Sequence, residues 1–475
     1  MEYDTSKTFR EIHSTPSALI AELQKIERLA LSRSSKLHHS THPIHLRFLT
    51  PLNPQPRNYP SNTVHLRLTP PHEHTENTEY IAVSYTWQQP ESLTNAFANS
   101  IPSYKIWSTD PKPRAPNCNP IVLHRAYQFA QAKLDRVLIW IDQECIQQDD
   151  IEDVENHLQA MHEIYRRSAF TVVLLSSMID SVSMAAGLYP FVRGSAEVFE
   201  ELIDSDDCRS RELCLLALQR LAKDRWFSRT WTYQERFFAN ACHYVVPVSP
   251  VLGLNTDVAD PLASRDWCIP EQHLVSFSDR MKHLKSGYKG HLKLDLRIPF
   301  ESDCSCKTVA LTMMRLTKFK FEASRSTDHR IHVPGFENFG IRKVSTSTVG
   351  EAIRNMEQYT EADHKEDVVK GQFETVNAVF RAMEGCENAV VADRIPIFAN
   401  VCQFGWTLQT VRFRTEIVSY STCVLSLLIL NVLKMHDGAW KMRLAEKVMG
   451  MTVGDFIKDQ LYPFSKVLYG LGMMS

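Results

Sequence analysis

One stretch constrains the fold more than any other. Val137-Leu138-Ile139-Trp140-Ile141 is an uninterrupted apolar run ending at Asp142, and Phe170-Thr171-Val172-Val173-Leu174-Leu175 is a second. Strands apolar on both faces belong inside a parallel sheet covered on both sides. Between them Asp149-Asp150 supplies an N-cap, followed by Val154, Leu158, Met161, Tyr165 and Ser168 at helical spacing. Strand, capped helix and strand make a parallel βαβ crossover, which places the chain in the α/β class.

Neighbouring segments extend this unit. Tyr80-Ile81-Ala82-Val83-Ser84-Tyr85-Thr86-Trp87 has the length and composition of a strand and stops at Gln88-Gln89-Pro90. A proline-rich loop is expected from Pro102 to Pro120, then a helix with Ala126, Phe129, Ala130 and Leu134 on one face. Further on, Cys214, Ala217, Leu218 and Leu221 mark another helix. Ser228 is placed to cap a third, in which Trp231, Gln234, Glu235 and Phe238 share a side. A strand over 243–248 follows. Upstream, the alternating runs Ile44–Leu49 and Val64–Leu68 end near Pro51 and Pro70 and read as edge strands.

A chain of 475 residues accommodates about two or three such units. The texture divides it into a tail and short helix over 1–40 (Leu19, Leu23, Ile26 and Ala30 at helical spacing), and the α/β domain over 41–250. A loop-rich linker is expected over 251–300 and a mainly helical region over 301–475, where Val369, Phe373, Val376, Phe380 and Met383 give the clearest periodicity. The apolar stretch from Cys423 to Leu433 is shorter than the roughly 20 residues of a membrane-spanning helix and reads as a buried core helix.

Lys and Arg number 53 against 55 Asp and Glu, a net charge of −2, which gives no electrostatic basis for nucleic acid or an anionic membrane as partner. The 11 cysteines lack zinc-finger spacing, Cys304 and Cys306 included, and read as reduced thiols of a cytoplasmic protein. Met1-Glu2-Tyr3-Asp4 is acidic without an apolar run, unlike a secretory signal. His38, His39, His42 and His45 read as exposed polar loop rather than a metal site.

Few residues are placed for chemistry. Glu235 follows Trp231 by one turn and precedes Phe238 by another, so it points along a half-buried face where desolvation raises a carboxyl pKa. The alternative is a structural ion pair with Arg229, Arg236 or a nearby loop. Asp142 ends the central strand, at the carboxyl rim where open α/β sheets bind ligands, and Ser84, Tyr85 and Trp87 end its neighbour. Each also has a plain structural role, as a loop-start aspartate or as core aromatics with one polar handle. There is no glycine-rich phosphate loop, G-x-S-x-G elbow, H-E-x-x-H or kinase set, and Cys145 with His157 or His162 lacks an orienting third group.

Four blocks in order carry a family resemblance: Tyr80–Trp87, Trp140–Asp150, Met161–Ala169 and Trp226–Glu235. Together they resemble the fungal heterokaryon-incompatibility (HET) domain over about a third of the chain. Asp393–Asn400 is similar to a downstream segment of many such proteins. Gln88 stands where the family usually has Gly, which is expected to alter the loop after the first strand because Gly permits positive φ. Gln147 replaces a usual Asn. The resemblance implies fungal non-self recognition leading to programmed cell death, a form of innate immunity, with an unknown incompatibility partner and homo-oligomerisation on activation.

The order of elements also looks like the Toll/interleukin-receptor (TIR) fold, a flavodoxin-like parallel sheet flanked by helices, here followed by a mainly helical C-terminal region. NAD-cleaving TIR members place a glutamate one turn after a tryptophan, and Trp231 and Glu235 fall on those positions. That likeness implies Glu235 as the catalytic carboxylate of an NAD nucleosidase, with Ser84, Tyr85, Trp87, Asp142, Arg229 and Trp231 around the substrate. NAD would be substrate and no cofactor or metal is expected. The rival is a non-enzymatic, self-associating interaction module that recruits effectors.

Overall fold

The run beginning at Tyr80 lies at the centre of an eight-stranded sheet. In chain order the strands are β1 (Leu49–Pro51), β2 (Thr63–Leu68), β3 (Ile81–Tyr85), β4 (Ser103–Trp107), β5 (Ile139–Trp140), β6 (Phe170–Leu174), β7 (Cys242–Pro247) and β8 (Asp266–Pro270). Across the sheet they run β4-β2-β1-β5-β3-β6-β7-β8. The computed structural model describes residues 1–33, 46–194, 208–252, 266–276 and 363–463, apart from 57, 72, 75–77, 99, 110, 275, 389, 414–416, 435–437 and 462.

The four central strands β5-β3-β6-β7 are parallel, with Ala82 opposite Trp140, Ser84 opposite Val173 and Val173 opposite Tyr244. Antiparallel strands extend this core on both sides, β1 against β5 and β8 against β7. From β3 the chain passes to β5 on one side and from β6 it passes to β7 on the other, so the crossovers reverse direction between β3 and β6. That is the switch point at which open α/β sheets form a crevice at the carboxyl ends of their strands.

Alternation along the strands sorts side chains to two covered faces. Ile81, Val83, Ile139, Val172, Leu174 and Val245 join one apolar cluster with Val122, Ala126 and Phe129 of helix α1 (Pro120–Lys133). Val173, Leu175, Tyr244, Val246 and Ile269 point the other way, into a cluster with Trp226. That second cluster is completed by helices α3 (Val182–Arg193) and α4 (Cys208–Ala222). The helix between β5 and β6 is α2 (Ile151–Arg167), capped as expected by Asp150, whose carboxylate accepts from the Glu152 and Asp153 N–H groups. Gly187 lets α3 approach α4: a Cβ there would lie 2.3 Å from the Leu213 carbonyl oxygen.

Several expectations are corrected. Leu49–Pro51 and Thr63–Leu68 are interior strands, because Ser103–Trp107, inside the segment read as a proline-rich loop, pairs with β2 and forms the sheet edge. Asp266–Pro270 is the opposite edge, so the sheet continues past residue 250. Ser228 caps no helix. It closes a 3-10 turn (Arg225–Ser228), donating to the Arg225 carbonyl, and the turn is capped by Asp224 instead.

By contacts the chain divides into two units, Ile44–Asp149 with Glu163–Phe321, and Met1–Pro43 with Asp150–His162 and Glu322–Ser475. The N-terminal helix thus groups with C-terminal residues. The second unit holds the helices Pro16–Ala30, Asp363–Glu384, Arg394–Val401, Tyr420–Asn431 and Gly438–Val448, with Leu31–Arg33 paired antiparallel to Trp406–Leu408. Leu19, Leu23, Ile26 and Ala30 are buried, and Tyr420 to Leu430 is buried on every side. Arg394, at the head of the segment read as family-like, is buried and donates to the Met383 carbonyl at 2.6 Å. No helix among the described residues is long and apolar enough to cross a membrane. His38, His39, His42, His45, Cys304 and Cys306 lie outside the described residues.

Candidate functional site at the sheet rim

Alternation along β3 decides the site. Val83 and Tyr85 belong to the α1 face, so Ser84 between them faces Trp226 and helix α5 (Thr230–Phe238). The Trp226 indole Nε1 donates to Ser84 Oγ at 2.7 Å, and Ser84 Oγ in turn donates to Glu235 Oε2. Ser84 is 1% exposed and both its donor and acceptor capacities are engaged, so it cannot act as a nucleophile. It serves as a relay that fixes the carboxylate. The 3-10 turn bearing Trp226 is itself held by Asp224. One Asp224 oxygen accepts from the Trp226 N–H at 2.9 Å and the other from the Ser176 and Ser177 N–H groups, at 2.8 Å and 2.6 Å, beyond the end of β6.

Glu235 is half-buried as a residue. Its carboxyl is pushed up to about 7, chiefly by loss of water around it. The Ser84 hydrogen bond and the Arg229 guanidinium pull it down, the Asp142 carboxylate pushes it up, and Tyr165 again favours the ionised form. The expected ion-pair alternatives are not what holds it. Arg229 donates to the Tyr85 carbonyl at 3.0 Å, and Arg236 pairs with Glu271 at 2.7 Å. Tyr165, from the last turn of α2, donates to the Val83 carbonyl at 3.2 Å and packs edge-on against Trp140.

Asp142 opens a short helical turn directly after β5. It is half-buried and accepts three hydrogen bonds: from the Tyr85 hydroxyl at 2.8 Å and its neighbour's N–H at 2.7 Å on Oδ1, and from the Trp87 indole at 2.7 Å on Oδ2. Burial raises its pKa and these donors, with Arg229, oppose that rise. Tyr85 is buried, and desolvation with the adjacent Asp142 carboxylate keeps its hydroxyl protonated. Gln143 Oε1 also lies 2.7 Å from that hydroxyl.

Of the expected residues, Ser84, Tyr85, Trp87, Asp142, Arg229 and Glu235 come together at the carboxyl ends of β3 and β5 through these bonds and charges. Trp231 is half-buried one turn before Glu235, but the indole in the hydrogen-bond chain is that of Trp226. Trp226, Tyr165 and Asp224 were missed. Their signal was weak: the apolar spacing of α2 already accounts for Tyr165, and Trp226 and Asp224 lie in and before a 3-10 turn that helical periodicity does not mark. Gln88 needs no glycine-like backbone: positive φ among non-glycine described residues occurs at Ser14, Gln403 and Lys434, and Gln88 accepts from Arg225 at 3.2 Å.

Other chemistries find no support here. Burial pushes the Cys145 thiol up to about 12, so it is neutral, and His157 and His162 belong to the other unit. Among the described residues no group of three or more His, Cys, Asp or Glu could hold a metal ion. What remains is a tuned carboxylate beside a second one, with aromatic and guanidinium groups around them. Such a set can stabilise a developing cation.

Residues 80–235 match the family model described as Heterokaryon incompatibility protein (HET). Over 216 residues the chain is 24% identical to Heterokaryon incompatibility protein 6, OR allele, of Neurospora crassa, covering 38% of this chain and 31% of that protein. The match thus spans less than a third of the relative's length. No solved structure matches the chain.

Proposed function

We propose that this chain is a heterokaryon-incompatibility-type protein acting in fungal non-self recognition and programmed cell death signalling, and that it does so by cleaving NAD at the rim carboxylate Glu235. The HET match over residues 80–235 and the name of the Neurospora relative support the incompatibility-type role. The parallel order β5-β3-β6-β7 is consistent with a flavodoxin-like, TIR-like core to which β1, β2, β4 and β8 have been added. The cytoplasm as its compartment, self-association on activation and an incompatibility partner protein belong to the same proposal.

The observation that carries the enzymatic reading is Glu235 itself. It is desolvated at a switch point, fixed by Ser84 and flanked by Arg229 and Asp142. In NAD the C1′–N bond breaks with its electron pair moving to the pyridinium nitrogen, so nicotinamide leaves neutral and needs no general acid. The ribosyl cation that develops is stabilised by an adjacent carboxylate, as in glycoside hydrolysis. Water then adds at C1′ and loses a proton, giving nicotinamide, ADP-ribose and one proton. Arg229 is the group suited to the dinucleotide's phosphates.

The test is incubation of the purified full-length protein, alone and crosslinked into oligomers, with NAD while free nicotinamide is measured. Release by wild type that falls at least about 100-fold in Glu235→Gln is expected. Equal release by both proteins overturns the assignment. Death of expressing cells with no fall in NAD leaves the non-enzymatic interaction module as the account.

A further inference from the structure

Trp87 is an unusual residue for a strand end. Its side chain is 48% exposed, yet its indole N–H is not left to solvent and is fixed at 2.7 Å on Asp142 Oδ2. Asp142 cannot swing to follow it, because Oδ1 is engaged by the Tyr85 hydroxyl and the Gln143 N–H. The loop is tied on its other side as well. Gln89 Nε2 donates to the Thr86 carbonyl, Thr86 Oγ1 donates to the Gln88 carbonyl at 3.3 Å, and Gln88 Oε1 accepts from Arg225. A large aromatic face is therefore held open and rigid, where burial against the core would have been the ordinary fate of an indole.

The charge around that face selects what can lie on it. Asp142 holds the indole directly, and its charge acts on Glu235, so the two carboxylates share one neighbourhood, in which the Arg229 guanidinium acts on both while Arg225 is engaged by Gln88. A carboxylate accepting from the indole N–H also increases electron density on the ring, which strengthens attraction for a cation over its face. A flat cation meets both conditions, and a neutral ring of the same size meets only one.

Resting on the NAD reading above, we infer that the Trp87 face, positioned by Asp142, is the docking platform for a cationic aromatic ring, the oxidised nicotinamide of the substrate. Trp87 contacts the ring by stacking. Asp142 is a positioning residue that acts through the indole. The arrangement selects the oxidised dinucleotide over the reduced one, whose dihydropyridine ring carries no charge.

The experiment separates this from catalysis by measuring binding in the full-length Glu235→Gln protein, with 1-methylnicotinamide as a permanent cation and nicotinamide as its neutral counterpart. Calorimetry or quenching of tryptophan fluorescence is expected to show about tenfold tighter binding of the cation. Trp87→Ala abolishes that preference, Trp87→Phe keeps part of it, and Asp142→Asn reduces it because the amide then presents a donor toward the indole N–H. A preference unchanged in Trp87→Ala, or equal affinity for the two probes, overturns the inference. The readout needs no turnover. Wild type that releases no nicotinamide, with the cation preference lost in Trp87→Ala, refutes the NAD-cleavage reading and leaves the platform standing.

Discussion

Replacing Glu235 by Gln makes a sharp test of the desolvated carboxylate, because stability and activity are expected to move in opposite directions. The folded protein holds the Glu235 proton up to about 7, against an ordinary glutamate value of 4.5. With a folded pKa raised above the unfolded one, the unfolded chain ionises first as pH climbs. Stability is therefore complete below the unfolded value and is lost as pH rises through the folded one. Above both values the charge costs the folded state about 3 kcal/mol at 1.36 kcal/mol per pH unit. That is an upper figure, since the residue as a whole is only half-buried. Gln has the same shape and no charge, and its Oε1 can still accept from Ser84. Wild type and Glu235→Gln are expected to melt together near pH 4 and to diverge up to pH 8. There the variant's α/β unit melts higher by about 6–12 °C. The chain has two units and need not melt in one step, so thermal scans at each pH are paired with hydrogen exchange at the β3 amides to locate the gain. A melting difference independent of pH, or a less stable variant at pH 8, refutes the claim that this carboxylate is desolvated.

Ser84→Ala removes the donor that favours ionised Glu235, so the acidic limb of the NAD-cleavage profile is expected to move up by about one pH unit. It also strands the Trp226 indole N–H, at about 1–3 kcal/mol by urea denaturation, and an unmoved limb contradicts the relay. Arg125→Met leaves Asp266 buried without its guanidinium partner 2.6 Å away, and the Leu175 and Val245 carbonyls without their donors. A loss of about 3–5 kcal/mol is expected, partly restored by adding Asp266→Asn; a loss under about 1 kcal/mol would show the pair to be dispensable. Gln234 is fully buried and neither of its amide atoms has a hydrogen-bond partner among the described residues. Gln234→Met is expected to leave stability unchanged or raise it by about 1 kcal/mol, and a clear loss in the same denaturation assay would mean that bound water satisfies the amide.

The four-strand parallel core was legible because its signal is local. Apolar residues on both faces of Phe170–Leu175, with an acidic cap and a helical period before it, admit few other arrangements. Elements with mixed composition were not legible. Ser103–Trp107 has prolines at either side in the sequence and a lysine at its centre, and it becomes a strand only because β2 offers an edge for it. Asp266–Pro270 likewise becomes a strand through pairing with β7, and the boundary placed at 250 cut it off.

The candidate site divides the same way. That Asp142 follows a central strand, and that Glu235 sits on a partly apolar helix face, follows from residue order and the helical period alone. Which indole reaches that glutamate does not follow. Helical spacing points to Trp231, but the 3-10 turn at Arg225–Ser228 brings Trp226 to Ser84, 142 residues away in the chain. By itself the sequence determined the strongly periodic elements and the face their side chains prefer, because periodicity depends on neighbours along the chain. Only the tertiary structure decided how much water Glu235 lost and which donors and charges replaced it, because those come from strands and helices that meet through space.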